Sequence, residues 1–139
     1  MQTIHQVMTT DPLTVDEGAP VSEAARLMRE ADIGDVVVIR PDGSVCGIVT
    51  DRDLALNVVA EGKDPTSMVV RDVCNHAVES VESSDPVGKA VKMMSGRAIR
   101  RLPVIDDGRL VGIVSLGDLA MERDPGSALA SISEAPPNN

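Results

Sequence analysis

The sequence contains no phenylalanine, tyrosine or tryptophan among its 139 residues. The core must therefore be built from aliphatic residues and seven methionines, which is feasible because volume and patterning matter more than aromatic identity. The absence also excludes sites that stack a nucleobase on an aromatic ring, a common device of single-strand nucleic-acid binders. A net charge of −9 opposes non-specific binding to nucleic acid or to anionic membranes. We therefore expect neither nucleic acid nor membrane as a partner.

Cysteine, long apolar runs and targeting segments are also scarce or missing. No run of about 18 apolar residues is present, and the N-terminus lacks the basic and apolar regions of a signal peptide, so we expect a cytoplasmic protein. Two cysteines, Cys46 and Cys74, are too few for a disulfide framework, and we interpret each as a small buried hydrophobe. Cys74 is close to His76 in sequence, and His5 could join them. The ligand spacing of a structural zinc site is absent, however, so we expect no metal.

The most informative feature of the sequence is a nine-residue motif that occurs twice. GIVTDRDLA occupies Gly47–Ala55 and GIVSLGDLA occupies Gly112–Ala120. The similarity extends to Val7–Leu56 against Val73–Met121 once one residue near Asp42 is skipped. An internal repeat of about 50 residues predicts two related structural units.

Each repeat is predicted to fold as β-α-β-β-α. The helix has apolar residues at helical spacing and a proline in its first turn, and the sequences RPDGS and DDGR are typical hairpin turns. The predicted elements are extended segments at Leu13–Val15 and Val78–Val81, helices at Pro20–Glu30 and Pro86–Ser95, hairpin strands at Asp35–Arg40, Val45–Val49, Leu102–Ile105 and Leu110–Val114, final helices from Asp51 and Leu116, and entry helices at Ile4–Met8 and Val70–Val73.

The predicted fold class is therefore α/β, of the α+β type, with two tandem units related by a pseudo-twofold axis. The linker is predicted at Glu61–Met68, because that segment is polar and contains Gly and Pro. This places a first unit at 1–65, a second at 66–123 and a flexible tail at 124–139, which is rich in small, polar and proline residues.

The motifs VMTTDPLTV, ADIGDVVVIRPDGSVCGIVTDRDL and RAIRRLPVIDDGRLVGIVSLGDL resemble those of the CBS domain, named for cystathionine β-synthase. The resemblance covers about Ile4–Met121 as a tandem pair, a Bateman module. It implies two small sheets packed about a pseudo-twofold axis, with two clefts between the units that often hold adenosine-containing ligands. It also implies a homodimer, for which we expect helix faces such as Leu54–Val59 and Leu119–Met121 to be buried.

Two readings of the repeated Thr/Ser-x-x-Asp motif remain open. Thr50 and Ser115 can cap a helix N-terminus, with Asp53 and Asp118 completing an acidic capping box that needs no ligand. Alternatively, the hydroxyl and the free N–H groups can contact a phosphate, while the carboxylate accepts hydrogen bonds from a ribose diol.

The resemblance supplies the candidate ligand-binding residues. It implies one cleft formed by Ser115 and Asp118 with the Thr9–Leu13 edge, and a second formed by Thr50 and Asp53 with the Asn75–Glu79 edge. Family members that bind nucleotides often have basic residues at the positions of Arg100 and Arg101. The first repeat has Gly34 and Asp35 there, and an aspartate would repel phosphate. Phosphate contact and a solvated surface pair both remain open for the two arginines.

We therefore predict a regulatory module that binds an adenosyl ligand, such as AMP, ADP, ATP or S-adenosylmethionine, and acts through a partner protein. The alternative is a ligand-independent dimeric interaction or stress-response protein. No nucleophile–base pair, P-loop or dinucleotide fingerprint is present, so we expect no catalytic residues, no enzymatic activity and no required cofactor.

Overall fold

The computed structural model describes residues 2–97 and 99–123, so the predicted tail at 124–139 lies outside the described residues. Its helices and strands are α1 (Ile4–Val7), β1 (Thr9–Thr10), β2 (Thr14–Asp16), α2 (Val21–Ala31), β3 (Asp35–Ile39), β4 (Val45–Thr50), α3 (Asp51–Leu54), α4 (Val87–Arg97), β5 (Arg101–Asp106), β6 (Arg109–Ser115) and α5 (Leu116–Arg123). A π-helical turn at Ala55–Val59 continues α3, and a 3₁₀ turn occupies Val70–Asp72.

The chain forms two compact units whose boundaries differ from those of the sequence repeats. Unit 1 combines the segment ending at Pro12 with the chain from Glu79 onward, and unit 2 is Leu13–Val78. The division at 65/66 predicted from sequence follows the repeats. In the structure, each repeat contributes its opening segment to the other repeat's compact unit.

Unit 2 contains a three-stranded sheet in the order β2-β3-β4. Strand β2 runs parallel to β3, as expected for strands joined by a crossover helix such as α2. The hairpin strands β3 and β4 are antiparallel, with Val37 opposite Ile48. An antiparallel bridge between Ile48 and Asn75 adds the opening segment of the second repeat at the free side of β4.

Unit 1 reproduces this arrangement with the equivalent segments. Strands β5 and β6 form the antiparallel hairpin, and a parallel bridge from Val81 to Val104 replaces the β2–β3 ladder. Strand β1, the opening segment of the first repeat, pairs antiparallel with β6, with Thr9 opposite Ile113. The order of segments is therefore the same in both units, and the predicted α+β class with two β-α-β-β-α repeats is confirmed.

The first glycine of the repeated motif allows the opening segment of one repeat to pair with the hairpin of the other. A Cβ atom on Gly47 would lie 2.5 Å from the carbonyl oxygen of Asn75, and one on Gly112 would lie 2.8 Å from the carbonyl oxygen of Thr9. Such approaches are too short for any side chain, so only glycine lets the crossing segment come close. Because of this contact, the compact units divide differently from the repeats. Local sequence patterns do not reveal the contact.

Each unit has its own aliphatic core. The core of unit 2 includes Val21, Ala24 and Met28, which lie along one face of α2 and pack with buried residues of β3 and β4. The core of unit 1 includes Leu102 and Val114, which pack with buried residues of α4 and α5. Methionine and branched aliphatic side chains fill the space that aromatic rings occupy in many proteins.

Most predicted elements lie within a residue or two of those observed. The main difference is the segment predicted as extended at Val78–Val81, which makes only the single Val81 bridge. The hairpin turns are as predicted, with positive φ at Gly43, Asp107 and Gly108. Among the described residues, no helix is long and apolar enough to cross a bilayer.

Candidate functional site

The repeated Thr/Ser-x-x-Asp motif forms a closed capping box in both units. In unit 2, the Thr50 backbone N–H donates to Asp53 Oδ2 at 2.9 Å, and the Asp53 N–H donates to Thr50 Oγ1 at 3.1 Å. In unit 1, the Ser115 N–H donates to Asp118 Oδ2 at 3.0 Å, and the Asp118 N–H donates to Ser115 Oγ at 3.0 Å. The capping interpretation is therefore correct for both copies.

The caps leave hydrogen-bonding capacity for a ligand. A carboxylate offers about four acceptor sites and a hydroxyl can donate as well as accept, whereas the cap uses one carboxylate oxygen and the acceptor side of the hydroxyl. Asp53, Asp118, Thr50 and Ser115 are all partly exposed. The two readings of the motif are therefore compatible, since a capped helix start still presents a hydroxyl proton and carboxylate lone pairs.

The residues beside the caps occupy equivalent positions with opposite charge. Arg101 lies opposite Ser115 in the β5–β6 ladder, and Asp35 lies opposite Thr50 in the β3–β4 ladder. Directly opposed residues of an antiparallel pair point to the same face of the sheet, with Cβ atoms about 4.5–5.5 Å apart. The capping hydroxyl therefore has a cationic neighbour in unit 1 and an anionic neighbour in unit 2.

Arg100 and Gly34, which precede Arg101 and Asp35 in the chain, also occupy equivalent positions. The Leu116 N–H donates to the carbonyl oxygen of Arg100 at 2.8 Å, and the Asp51 N–H donates to that of Gly34 at 2.9 Å. Arg100 is exposed, so its backbone helps fix the helix start while its side chain extends toward solvent. Unit 1 thus places two arginines next to a helix N-terminus, where the macrodipole also favours an anion.

Most of the predicted unit 1 residues are brought into one compact unit. Thr9 lies in β1, which pairs with β6 two residues before Ser115, so Thr9, Arg100, Arg101, Ser115 and Asp118 all belong to unit 1. Leu13 falls in unit 2, where its side chain is 46% exposed. The role of each of these residues in ligand binding stays a prediction.

The described residues also contain a cluster that sequence spacing did not reveal. Cys46 in β4 lies near Cys74 and His76, which follow the 3₁₀ turn, and one donor atom from each lies within 4.8 Å of the others. The distance from Cys46 Sγ to His76 Nδ1 is 3.7 Å, and that from Cys74 Sγ to the same nitrogen is 3.9 Å. The Ile48–Asn75 bridge brings these donors together. Only the closeness of Cys74 and His76 was visible in the sequence.

Both cysteines are buried and free, as the sequence analysis expected. Burial and, to a smaller extent, the neighbouring Cys46 raise the pKa of Cys74 to about 11. Without a cation the Cys74 thiol is therefore protonated and unreactive at neutral pH.

Comparison with known proteins identifies the family of this chain. The CBS domain model matches residues 4–60 and again 70–124. The uncharacterized protein MK0525 of Methanopyrus kandleri is 39% identical over 117 residues, and this chain spans 60% of its length while 84% of this chain is matched. Hypoxic response protein 1 of Mycobacterium tuberculosis is 32% identical over 120 residues, which cover 86% of this chain and 84% of that protein.

Solved structures of similar proteins have the same fold as this chain. The crystal structure of Hypoxic Response Protein I, described with two coordinated zinc ions, has a TM-score of 0.79 at 31% identity and covers 86% of this chain and 97% of that one. The CBS domain pair of MJ0100, in complex with 5′-methylthioadenosine and S-adenosyl-L-methionine, has a TM-score of 0.79 at 23% identity and covers 91% and 99%. With two matches to the family model along one chain and the same fold, the chain belongs to the CBS domain family as a tandem pair.

Proposed function

We propose that this CBS pair is a regulatory module that binds an adenosyl ligand in unit 1 and acts through a partner protein. The observation that carries the proposal is the charge difference at equivalent positions. Arg101 stands opposite the capping Ser115, whereas Asp35 stands opposite Thr50. Since both caps are otherwise alike, the arginines distinguish unit 1 as the phosphate-binding copy.

Each part of an adenosine nucleotide has a counterpart among the candidate residues. The ribose diol would donate to the remaining lone pairs of Asp118, and the hydroxyl of Ser115 would donate to a phosphate at the start of α5. Arg100 and Arg101 would supply charge-assisted hydrogen bonds to the same phosphate. Adenine would be held by aliphatic side chains and backbone groups of the segment containing Thr9, because the chain has no aromatic residue.

The fold itself accepts such ligands in another protein. The MJ0100 pair was crystallised with S-adenosyl-L-methionine and 5′-methylthioadenosine, and its likeness to this chain concerns the fold alone. S-Adenosylmethionine is a cation at its sulfonium, so the arginines of unit 1 favour a phosphorylated ligand over it. We therefore rank AMP, ADP and ATP above S-adenosylmethionine for this chain, with no catalytic step.

Isothermal titration with adenosine, AMP, ATP and S-adenosylmethionine tests the proposal. In Asp118→Asn the amide oxygen keeps the acceptor of the cap, but the charge that favours the ribose diol is lost. A hydrogen bond to a charged group contributes about 1.5–3 kcal/mol, so AMP should bind at least about tenfold more weakly. Asp53→Asn is the matched control in unit 2 and should leave AMP affinity unchanged. Equal losses in both variants would contradict the assignment to unit 1.

A ligand-independent role is favoured if none of these compounds binds, because both capping boxes are complete without a ligand. The repeated motif would then serve the fold only. The protein would then act as a ligand-independent interaction or stress-response protein, and a stress response is what the name of the relative Hypoxic response protein 1 gives for that protein.

We also propose that the chain forms a homodimer, through only a part of the surface expected from sequence. Leu54 and Leu119 are buried in their own units, so they are unavailable to a partner, and the Met121 side chain lies outside the described residues. Leu56 and Val59 are 48% and 74% exposed and offer an apolar surface on the helix after β4. Sedimentation should show a dimer that Val59→Lys dissociates, whereas Ala25→Lys, an exposed change on α2, should not. A monomeric wild type would contradict the proposal.

A further inference from the structure

Three side chains with metal-binding donors meet in unit 2. Cys46 comes from β4, while Cys74 and His76 come from the opening segment of the second repeat, which the Ile48–Asn75 bridge holds against β4. In a tetrahedral zinc site, Zn–S of about 2.3 Å and Zn–N of about 2.0 Å place sulfur and nitrogen ligands about 3.5 Å apart. The observed separations of 3.7 and 3.9 Å from the two Sγ atoms to His76 Nδ1 are close to this value.

The surroundings of His76 suit a ligand that binds through Nδ1. The other ring nitrogen, Nε2, lies 3.0 Å from the carbonyl oxygen of Arg71, which would accept its hydrogen. A metal-binding histidine almost always donates its second N–H to such an acceptor, which fixes both the tautomer and the orientation of the ring. With the hydrogen on Nε2, Nδ1 keeps its lone pair, and it lies 3.2 Å from the carbonyl oxygen of Cys46 as well as near both sulfur atoms. Cys74 Sγ lies at a similar distance from both ring nitrogens, 3.9 Å from Nδ1 and 3.7 Å from Nε2.

Burial differs across the cluster in a way that allows a metal to enter. Both cysteines are buried, whereas His76 is exposed. A cation could therefore reach the cluster from the His76 side, while the sulfur atoms lie in an apolar surrounding. In the part of the chain that the structure describes, no other group of three histidine, cysteine or acidic side chains brings its donor atoms this close.

Unit 1 shows what the same positions contain when no such cluster is formed. The residues matching Cys46, Cys74 and His76 in the first-repeat and second-repeat alignment are Val111, Met8 and Thr10. Met8 packs beside Gly112 as Cys74 packs beside Gly47, so the fold is satisfied by purely apolar residues there. The two thiols and the imidazole of unit 2 are therefore additions to the common fold, in a chain that has only two cysteines and two histidines.

We propose that Cys46, Cys74 and His76 form a binding site for a zinc ion in unit 2, with the fourth coordination position open to water or to an external ligand. Two thiolates and an imidazole select a borderline-soft, tetrahedral cation over Mg²⁺ or Ca²⁺, which prefer oxygen ligands. The ion would tie the opening segment of the second repeat to β4 of the first. This role is independent of adenosyl binding, which the proposal above assigns to unit 1.

Cobalt(II) titration of the reduced, chelator-treated full chain tests this site. Co²⁺ takes the place of Zn²⁺ and reports sulfur ligation through thiolate charge-transfer absorption. We expect one Co²⁺ per chain with a charge-transfer band, displacement by one equivalent of Zn²⁺, and a higher melting temperature with Zn²⁺ bound. Substitution of a residue that hydrogen-bonds a metal ligand costs about 10–100-fold in metal affinity, so losing the ligand itself in His76→Gln should weaken binding by more than about 100-fold.

Two variants serve as matched controls. His5→Gln removes the only other histidine, which lies in α1 of unit 1, and should bind metal as the wild type does. Cys46→Val combined with Cys74→Met imports the residues that unit 1 uses at these positions, so it should fold and bind no metal. Circular dichroism would verify that each variant keeps its helices.

Several results would overturn the proposal. Co²⁺ bound without a thiolate band, or with the same affinity in His76→Gln, would place the metal elsewhere. An intact mass two hydrogens lower, with no titratable thiols before reduction, would identify the cysteines as a disulfide pair. Binding of Cu(I) with no binding of Zn²⁺ or Co²⁺ would reject zinc as the ion.

Discussion

At the position opposite the capping hydroxyl, unit 1 has Arg101 and unit 2 has Asp35. Around the glycine that precedes the cap, unit 1 has Met8 where unit 2 has Cys74. The antiparallel hairpins, the capping boxes and the close-approach glycines are nevertheless the same. Residues that the two units share therefore maintain the fold, and residues in which they differ are those that can give each unit its own ligand chemistry.

This division has a physical basis. A cap or a close glycine acts within a few residues or against a backbone atom, so both copies must keep it for the unit to form. Exposed positions beside the cap contribute little to stability and are free to change. The comparison thus predicts large stability effects from shared residues and binding effects from the residues that differ.

The largest effect is expected at the shared glycines. In Gly47→Ala the new Cβ would lie 2.5 Å from the Asn75 carbonyl oxygen and 2.9 Å from Cys74 Sγ, so the crossing segment must move. Overpacking of this kind costs about 1–3 kcal/mol, and we expect the upper end in urea unfolding. Gly112→Ala should cost less, since its Cβ would lie 2.8 Å from the Thr9 carbonyl oxygen, a longer approach than at Gly47, and the other close atoms belong to the flexible Met8 side chain.

Gly88→Ala is the control for these variants. Gly88 lies in α4 with nothing within 4 Å of the added atom, and alanine is favoured over glycine in helices by about 0.5–1 kcal/mol. A neutral or stabilising effect is therefore expected. Unchanged stability of Gly47→Ala would show that the crossing segment is not held against β4 as described.

The second effect concerns the charge that differs between the units. In Arg100→Ala the removal of one charge-assisted hydrogen bond should weaken AMP and ATP binding by about tenfold, or about 1.4 kcal/mol, while adenosine binding stays the same. Titration calorimetry with AMP, ATP and adenosine measures the difference. Arg29→Ala, an exposed change on α2 of unit 2, controls for net charge. An equal loss for adenosine would indicate a structural role for Arg100 in place of a phosphate contact.

The third effect concerns the shared caps. Thr50→Ala and Ser115→Ala each remove the acceptor for an aspartate N–H, which costs about 1 kcal/mol at a helix N-cap. We expect similar losses in urea unfolding for the two variants without ligand. With AMP present, Ser115→Ala should lose more than Thr50→Ala. A ligand-independent difference between the two variants would mean that the caps are not equivalent.

The sequence predicts these caps well because a capping box joins residues only three positions apart. It also predicts the hairpins, whose turns need Gly or Asp with positive φ at Gly43, Asp107 and Gly108. The end of α2 at Asp32, which adopts the left-handed conformation, lies close to the predicted Glu30. These features depend on local chemistry and are readable without a structure.

The features that depend on distant pairing were not predicted. Cys46 and His76 are 30 residues apart, and only the bridge between β4 and the second repeat brings them together. The same pairing explains why the compact units divide at Pro12 and Val78. The π-helical turn at Ala55–Val59 was not predicted either, because no pattern in these residues distinguishes it from an α-helix.

The smallest effect concerns acid stability and compares two aspartates. The side-chain and backbone hydrogen bonds of Ser83 lower the pKa of Asp106 in unit 1, and those of Ser44 lower the pKa of Asp42 in unit 2. Ser83 is 23 residues from its aspartate, whereas Ser44 is only two residues away. A local contact of two residues can persist in the unfolded chain, so only the distant pair forms on folding.

A carboxylate whose pKa is lowered by folding stabilises the protein above its ordinary pKa of 3.8, and this contribution is lost as the pH falls through the lowered value. Asp106→Asn should therefore lower the urea midpoint at neutral pH and make the midpoint fall less steeply on acidification between about pH 5 and pH 2. Asp42→Asn should change both quantities less. Both aspartates are solvent-accessible, so the effect is modest, and it should be measured at constant ionic strength because surface interactions are screened by salt. If the two variants lose the same acid dependence, the distant bond in unit 1 contributes no more to folding than the local turn in unit 2.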